Sequence, residues 1–328
     1  MDQRPAERPG LMVTRALPSV LEARIRAENT AWINPHDRGL TAAEIVREAA
    51  SCAAQTVLVM ATDRIDAGVI DALPDSVRIV ATFSVGHEHI DLAAAQARGI
   101  AVISTPDVLS DAVAEMAVLL LLGAARRAHE GGALLYSRQW TGWTPTQLLG
   151  RDMTGARLGV FGMGRIGQAI ARKAGRGFDM PVHYHNRRRL PAELEAGASF
   201  HPTAAGLLAH TDFLALAAPS TPQTIKFLDA EAIAQLPRGA IVANIARGNL
   251  VDDAALIDAL RSGHIAAAGL DVFNDEPAIH PDYLTLSNVF LQPHQGSSTI
   301  GTRVRMGQML LDSIARHRAG ASLPNRLV

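Results

Sequence analysis

Residues 157–167 read Arg157-Leu158-Gly159-Val160-Phe161-Gly162-Met163-Gly164-Arg165-Ile166-Gly167, and the reading of this stretch decides the fold. A short aliphatic run passes into G-x-G-x-x-G, after which Ile166, Ala169, Ile170 and Ala174 recur at helical spacing. A second aliphatic run over 182–184 closes a strand–helix–strand unit of roughly 30 residues. Each glycine has a physical task. The first makes the tight turn, the second lets a pyrophosphate approach the backbone, and the third lets helix and strand pack closely. The helix N-terminus adds N–H donors for the anion. In a chain with 27 glycines the pattern alone carries little weight. The strand before it and the helix after it make it a dinucleotide site; a βαβ turn without ligand is the plain alternative.

The next informative position lies at the end of the second strand. Folds that bind NAD place Asp or Glu there to hold the ribose 2′-hydroxyl. Here the chain reads Tyr184-His185-Asn186-Arg187-Arg188-Arg189, with no acid. Asn186 stands where the acid would be, and Arg187 and Arg188 form a candidate clamp for a 2′-phosphate, which guanidinium forks fit and a carboxylate would repel. The expected cofactor is NADP(H), with NAD(H) possible; a solvated basic turn is the alternative.

Working outward, short aliphatic runs alternate with Ala-rich helical stretches. Candidate strands fall at 56–60, 77–83, 101–103, 157–161, 182–184, 213–216, 240–244, 267–272 and 289–291. Continuous apolar runs of this kind suit parallel strands covered on both faces. Thr41-Ala42-Ala43-Glu44 reads as a capping box opening a helix over 42–50. Asp252 and Asp253 open another over 254–261, stopped at Gly263. Two joints stand out: Ser104-Thr105-Pro106-Asp107, before a long apolar helix over 112–126, and Gln292-Pro293-His294-Gln295-Gly296, before a final helix over 302–318. The expected fold is α/β, with two Rossmann-like domains built on parallel sheets. A dinucleotide-binding domain of residues 107–297 is inserted into a substrate domain of residues 11–106 and 298–328.

Composition excludes several chemistries. Thirty-one basic and 32 acidic side chains give a formal charge of −1, which argues against a clustered basic surface for nucleic acid. All but two of the basic residues are arginine, and the lysines, Lys173 and Lys226, precede Ala and Phe, so neither completes a P-loop. Cys52 is the single cysteine and has no disulfide partner. His87-Glu88-His89-Ile90-Asp91 begins like a zinc HExxH motif but has Asp where the second histidine is required, and His129-Glu130 fails likewise. The longest apolar stretch, 116–125, falls well short of the roughly 20 residues that span a bilayer. Residues 1–10 carry charges and prolines without the apolar core of a signal peptide and are expected to form a frayed tail. A cytoplasmic chain is expected, with no metal, no membrane and no nucleic-acid partner.

Three segments near the ends of later strands each offer one reactive group. They are Val242-Ala243-Asn244-Ile245-Ala246-Arg247-Gly248, Gly269-Leu270-Asp271-Val272-Phe273-Asn274-Asp275-Glu276-Pro277 and Gln292-Pro293-His294-Gln295-Gly296. Singly, each has a bland reading as an ion-paired arginine, a solvated carboxylate or a capped loop histidine. Together they suit the reduction of a 2-oxo acid. Arginine matches the substrate carboxylate, histidine has a pKa fit for general acid work, and a neighbouring glutamate favours the imidazolium.

With Ser84-Val85-Gly86 and the glycine turn, these segments fall in the order found in the D-isomer-specific 2-hydroxyacid dehydrogenase family, which the chain resembles over essentially its whole length after the tail. The resemblance implies that Arg247 binds and polarises the substrate, that His294 is the acid–base group and that Glu276 is its partner. It implies that backbone amides of Val85 and Gly86 hold the substrate carboxylate, beside Arg247 and His294. It assigns the cofactor phosphates and adenosine to Gly162, Met163, Gly164, Arg165 and Ile166, to Asn186, Arg187 and Arg188, and to Ala218, Pro219 and Thr224. Ile245, Ala246, Asp271, His294 and Gly296 complete that surface, Asp271 near the nicotinamide carboxamide, and Thr105, Asp107 and Val108 line its other side.

Within the family the chain is most similar to glyoxylate/hydroxypyruvate reductases and 2-ketogluconate reductases, on the Asn-Arg-Arg-Arg turn and on Trp140-Thr141-Gly142-Trp143. In relatives that tryptophan segment forms dimer contacts and can reach the partner's active site; simple interface or core packing is the even alternative. A homodimer is expected. The formate dehydrogenase branch is excluded because it carries glutamine where Glu276 stands. His87-Glu88-His89 and Gln295 depart from the family pattern. They are expected to add hydrogen-bonding groups near the substrate, favouring hydroxymethyl or polyol 2-oxo acids over pyruvate. The expected activity is NADPH-preferring reduction of glyoxylate and hydroxypyruvate to (D/R)-2-hydroxy acids. Two alternatives stay open: 2-ketogluconate reduction as the main activity, and a catalytically silent NAD(H)-sensing binding protein on the same fold.

Overall fold

The computed structural model describes residues 10–328, so nearly all of the expected tail lies outside the described residues; Gly10 already begins a strand. The chain divides into two compact units, one running up to Leu109 and resuming over Ser298–Val328, the other spanning Ser110–Ser297. In the first unit, β1 (Gly10–Val13), β2 (Thr30–Ile33), β3 (Ala54–Val59), β4 (Ile79–Thr82) and β5 (Ala101–Ile103) form a parallel sheet in the order β2-β1-β3-β4-β5. The helix Ala42–Ser51 between β2 and β3 starts with the expected capping box: Thr41 Oγ1 accepts the Glu44 N–H and the Glu44 carboxylate accepts the Thr41 N–H. The chain's last residues return to β5. Leu327 N–H donates to Val102 O, and Asn325 bridges Ser313 and the Ser104 carbonyl, which occupies backbone groups on an edge strand.

The second unit holds β6 (Leu158–Phe161), β7 (Val182–His185), β8 (Ser199–Phe200), β9 (Phe213–Leu216), β10 (Ala240–Asn244), β11 (Ile265–Leu270) and β12 (Val289–Leu291). All pair in parallel, in the order β12-β11-β10-β9-β6-β7-β8. The strand order reverses between β6 and β9. That is the switch point of a Rossmann-like sheet, where the carboxyl ends of neighbouring strands diverge and leave room for a ligand. β6, β9 and β10 are buried along their whole length, as strands with helices on both faces must be. The core is aliphatic: Leu214, Leu216, Val242, Leu256, Ile257 and Leu260 belong to one cluster, each at most 3% exposed.

The sequence reading misses three strands, each for a physical reason. β2 is an edge strand with only Ile33 fully buried, so it lacks a continuous apolar run. β8 is a two-residue edge strand. β1 is fully buried but abuts the charged, proline-rich start of the chain. The helix after the glycine turn also differs from expectation. It is α-helical over Arg165–Ile170 and widens to a π-turn over Ala171–Gly175.

Candidate active site

The glycine turn follows β6 at the switch point. Gly162 has φ +98°, and a Cβ on it would lie 2.5 Å from Ala218 N in the loop after β9, so only glycine fits. Gly164 is the opposite case: a Cβ there would meet nothing within 4 Å. That open side faces the kind of space a pyrophosphate needs, and the turn walls a cavity of about 910 Å³. Of the residues assigned to the phosphates and adenosine, Gly162, Met163, Gly164 and Arg165 line it. So do Asn186, Arg187, Arg188, Ala218, Pro219 and Thr224. Ile166 does not. His185 and Gln168 also line the wall and went unnoticed in the sequence, because only the pairing of β6 with β7 and β9 brings them there.

The three successive arginines divide. Arg189 donates through Nε and Nη2 to the Glu195 carboxylate at 2.8 and 3.0 Å, and Tyr184 Oη donates to the same group at 2.6 Å. The Arg189 and Tyr184 hydrogen bonds hold Glu195 down to about 2, so this arginine is structural. Arg187 and Arg188 are exposed, and among the described residues no carboxylate pairs with either. Asn186 Oδ1 accepts the Met163 N–H at 2.7 Å, fixing the turn from the position where an acid usually sits. These residues fit a dinucleotide.

The reactive groups are built from three loops at the same carboxyl edge of the sheet. After β10, the buried Asn244 side chain accepts the Ala246 N–H at 3.0 Å and donates to Arg247 O at 2.8 Å, a local turn that presents Arg247. Gly248 follows because a Cβ there would lie 1.9 Å from the Phe273 carbonyl carbon. The loops after β10 and β11 therefore touch. Phe273 N–H in turn donates to Glu276 Oε1 at 2.9 Å, and Glu276 Oε2 accepts from His294 Nδ1 at 2.6 Å. Burial opposes the Glu276 charge. The hydrogen bonds from His294 and Phe273, with the His294 and Arg247 charges, outweigh it and hold the carboxyl below its ordinary range.

Asp271 performs a task the sequence did not reveal. It is 1% exposed and spends both carboxylate oxygens on the loop that carries His294, accepting the Gln295 N–H at 2.6 Å and the Gly296 N–H at 2.7 Å. Its own carbonyl accepts the His294 N–H at 2.8 Å. Burial pushes the Asp271 carboxyl up, against the pull of those two amides. His294 has φ +52°, a left-handed conformation rare outside glycine, and the three bonds to Asp271 hold the loop in it. Ile245, Ala246 and Gly296 are buried in this group of loops.

Val85 and Gly86 belong to the other unit, in the loop after β4, where Ser84 Oγ donates to Gly86 O at 2.6 Å. Thr105 N–H donates to Ser84 O at 2.9 Å, while its fully buried hydroxyl has no hydrogen-bond partner. His89 Nε2 lies 3.0 Å from the buried Thr82 Oγ1. Trp140 and Trp143 are 51% and 80% exposed, which removes packing in the core of their own chain as an explanation. Among the described residues there is no group of three or more His, Cys, Asp or Glu able to hold a metal, and no helix is long and apolar enough to cross a membrane.

Residues 118–296 match the family model for the D-isomer specific 2-hydroxyacid dehydrogenase NAD-binding domain. The chain belongs to this family. A glycerate dehydrogenase of Hyphomicrobium methylovorum is 40% identical over 315 residues, covering 95% of this chain and 97% of that protein. The solved structure of a Polaromonas sp. JS6 66 protein superposes with a TM-score of 0.94 at 48% identity, covering 98% of this chain and 99% of that one. An NADPH-dependent glyoxylate/hydroxypyruvate reductase from Sinorhizobium meliloti, solved with NADP and malonate, gives a TM-score of 0.86 at 31% identity over 98% of this chain and 97% of that one. The protein is thus a D-2-hydroxyacid dehydrogenase type of oxidoreductase. In this 2-hydroxyacid dehydrogenase, the dinucleotide cradle and the Arg247–Glu276–His294 group share one unit and one edge of one sheet.

Proposed function

We propose that the protein is a cytoplasmic, homodimeric reductase that uses NADPH in preference to NADH to convert small 2-oxo acids, glyoxylate and hydroxypyruvate, to (D/R)-2-hydroxy acids. The observation that carries the reading is the 2.6 Å contact of His294 Nδ1 with Glu276 Oε2, on loops beside that of Arg247. Glutamate is acceptor-only when ionised, so Nδ1 carries the proton in this contact and Nε2 is left for the substrate. In the reductive direction His294 is doubly protonated and gives its Nε2 proton to the carbonyl oxygen at C2. Arg247 draws electron density onto that oxygen and binds the adjacent carboxylate. The cradle of Gly162–Gly164, with Ile245, Ala246 and the Asp271 loop, would hold NADPH, which when bound would supply the hydride for C2. The products would be the 2-hydroxy acid, the oxidised dinucleotide and an imidazole that has lost its Nε2 proton, which solvent restores.

The exposed Arg187 and Arg188 support the NADPH preference, as does the NADP-bound relative. A panel of glyoxylate, hydroxypyruvate, 2-ketogluconate and pyruvate, each with NADPH and with NADH, tests the reading. Glyoxylate and hydroxypyruvate with NADPH should give the highest kcat/KM. A higher value for pyruvate, or for NADH, would refute the substrate or cofactor assignment respectively. Replacing both Arg187 and Arg188 by Ala should raise KM for NADPH about tenfold or more while leaving KM for NADH nearly unchanged, since each charged hydrogen bond lost is worth about 1.5–3 kcal/mol. Equal effects on the two cofactors would remove the clamp.

A further inference from the structure

The backbone that carries Arg187 and Arg188 is pinned on both sides. Upstream, the His185 carbonyl accepts the Gly162 N–H at 3.0 Å and Asn186 Oδ1 accepts the Met163 N–H at 2.7 Å, which ties the segment to the glycine turn. Downstream, the Leu190 N–H donates to Tyr184 Oη at 3.0 Å. That hydroxyl gives its one proton to Glu195 Oε1 at 2.6 Å, and Arg189 grips the same carboxylate with Nε on Oε1 and Nη2 on Oε2. The ring of contacts closes through the short helix Ala192–Glu195, where the Pro191 carbonyl accepts the Leu194 and Glu195 N–H groups at 2.9 and 3.2 Å. Between the pins stand Arg187 and Arg188.

Stability alone is a poor reason for this network. Tyr184 and Glu195 are buried, and a buried carboxylate forfeits hydration that its hydrogen bonds must offset. An apolar pair at 184 and 195 would fill the same space without that cost, and β7 already pairs with β8 through its backbone. An apolar pair would not hold the chain at 189 and 190. Leu190, whose amide is held, lines the same cavity as Arg187 and Arg188, whereas Tyr184, Arg189 and Glu195 do not line it. Fixing the backbone in advance spares the two arginines part of the ordering cost when they engage an anion.

We infer that Tyr184, Arg189 and Glu195 are positioning residues for cofactor selectivity: their hydrogen-bond brace holds residues 187–190 so that Arg187 and Arg188 stand ready for the 2′-phosphate of NADPH. The inference rests on the proposed NADPH preference and extends it to three residues outside the cavity wall. The test measures Kd for NADPH and for NADH by fluorescence titration without substrate, and kcat for glyoxylate at saturating NADPH. It compares the parent, Tyr184→Phe, Arg189→Gln, the Arg187→Ala/Arg188→Ala pair, and that pair combined with Tyr184→Phe.

Tyr184→Phe and Arg189→Gln should each raise Kd for NADPH about fivefold, the scale of one lost hydrogen bond. Kd for NADH, which has no 2′-phosphate, and kcat should stay within about twofold of the parent. In the background lacking both arginines, Tyr184→Phe should change Kd for NADPH less than about twofold, because the brace has nothing left to position. Equal losses for the two cofactors would mark the brace as merely structural and overturn the inference. So would an unchanged Kd for NADPH in Tyr184→Phe, or a full effect of that substitution without the arginines. Tyr184→Phe removes a single oxygen, and it decides the question alone if Arg189→Gln, which strips Glu195 of its counter-charge, does not fold. A parent that binds NADH as tightly as NADPH would overturn the proposed cofactor preference itself, a different result from variants that match a selective parent.

Discussion

His294 has two ring nitrogens, and the contact to Glu276 commits one of them. A carboxylate held below its ordinary range stays ionised as pH falls, so the pairing with His294 persists through mildly acidic conditions. The contribution of Glu276 is present above its unfolded pKa and is lost only as pH drops through the lowered folded value. Glu276→Gln removes the charge but keeps the shape, and the imidazolium loses its counter-charge. The pH at which reductase activity falls on the alkaline side should therefore move down in this variant, with kcat at neutral pH reduced about tenfold or more. A pH–rate profile measures both, and an unchanged alkaline limb would separate Glu276 from the acid.

Asp271 makes a second prediction at this scale. Asp271→Asn can accept only one of the two loop N–H bonds and leaves the other buried amide opposite a second donor, so the His294 loop should loosen. Loss of about 1–3 kcal/mol of stability is expected together with a fall in kcat, checked by denaturant melts and turnover of the same sample. Roles such as this were not legible in the sequence. Arg247, Glu276 and His294 were, because each is a reactive type directly after an apolar strand. Asp271 works through backbone amides, so residue type alone gave no sign of its role.

At the scale of elements, the alternation of aliphatic runs with helical stretches was enough to expect parallel sheets, and the long buried strands β9 and β10 match their expected bounds. Edge strands escaped because they are short or half-exposed. Ion pairs escaped too. Asp212 lies just before β9 and ties that strand to the start of β6, accepting the Arg157 N–H and side chain at 2.9–3.1 Å and the Arg151 Nη2 at 3.1 Å. The Arg157 hydrogen bond, opposed by burial, holds Asp212 down to about 2. Its stabilisation is complete above the unfolded value near 4 and is lost as pH falls through about 2. Asp212→Asn should cost about 1–3 kcal/mol at neutral pH and nothing by comparison at the acid end. Urea melts at pH 7 and below pH 3 read the difference, and an equal loss at both would show that the charge is not responsible.

For the whole molecule, five of the twelve large apolar side chains exposed among the described residues fall together. Leu135, Tyr136, Trp140, Trp143 and Leu149 fall within one stretch of fifteen residues, and the helix Ala128–Tyr136 has no buried residue. A surface of this kind is costly in water and marks an interaction site. A second copy of the chain is the occupant we propose. Sedimentation of the purified protein should give a dimer, and Tyr136→Glu with Trp143→Glu should shift it toward monomer; a monomeric parent would refute the assembly.

The reductase reading depends most on one proton. Removing the group that delivers it, while the cradle and Arg247 stay in place, separates catalysis from binding. The direct measurement is steady-state reduction of glyoxylate and hydroxypyruvate by NADPH in the parent and in His294→Ala. The expected result is a fall in kcat of about 10²–10⁴-fold with KM for NADPH nearly unchanged. Turnover within about threefold of the parent would contradict the assignment of His294 as the general acid.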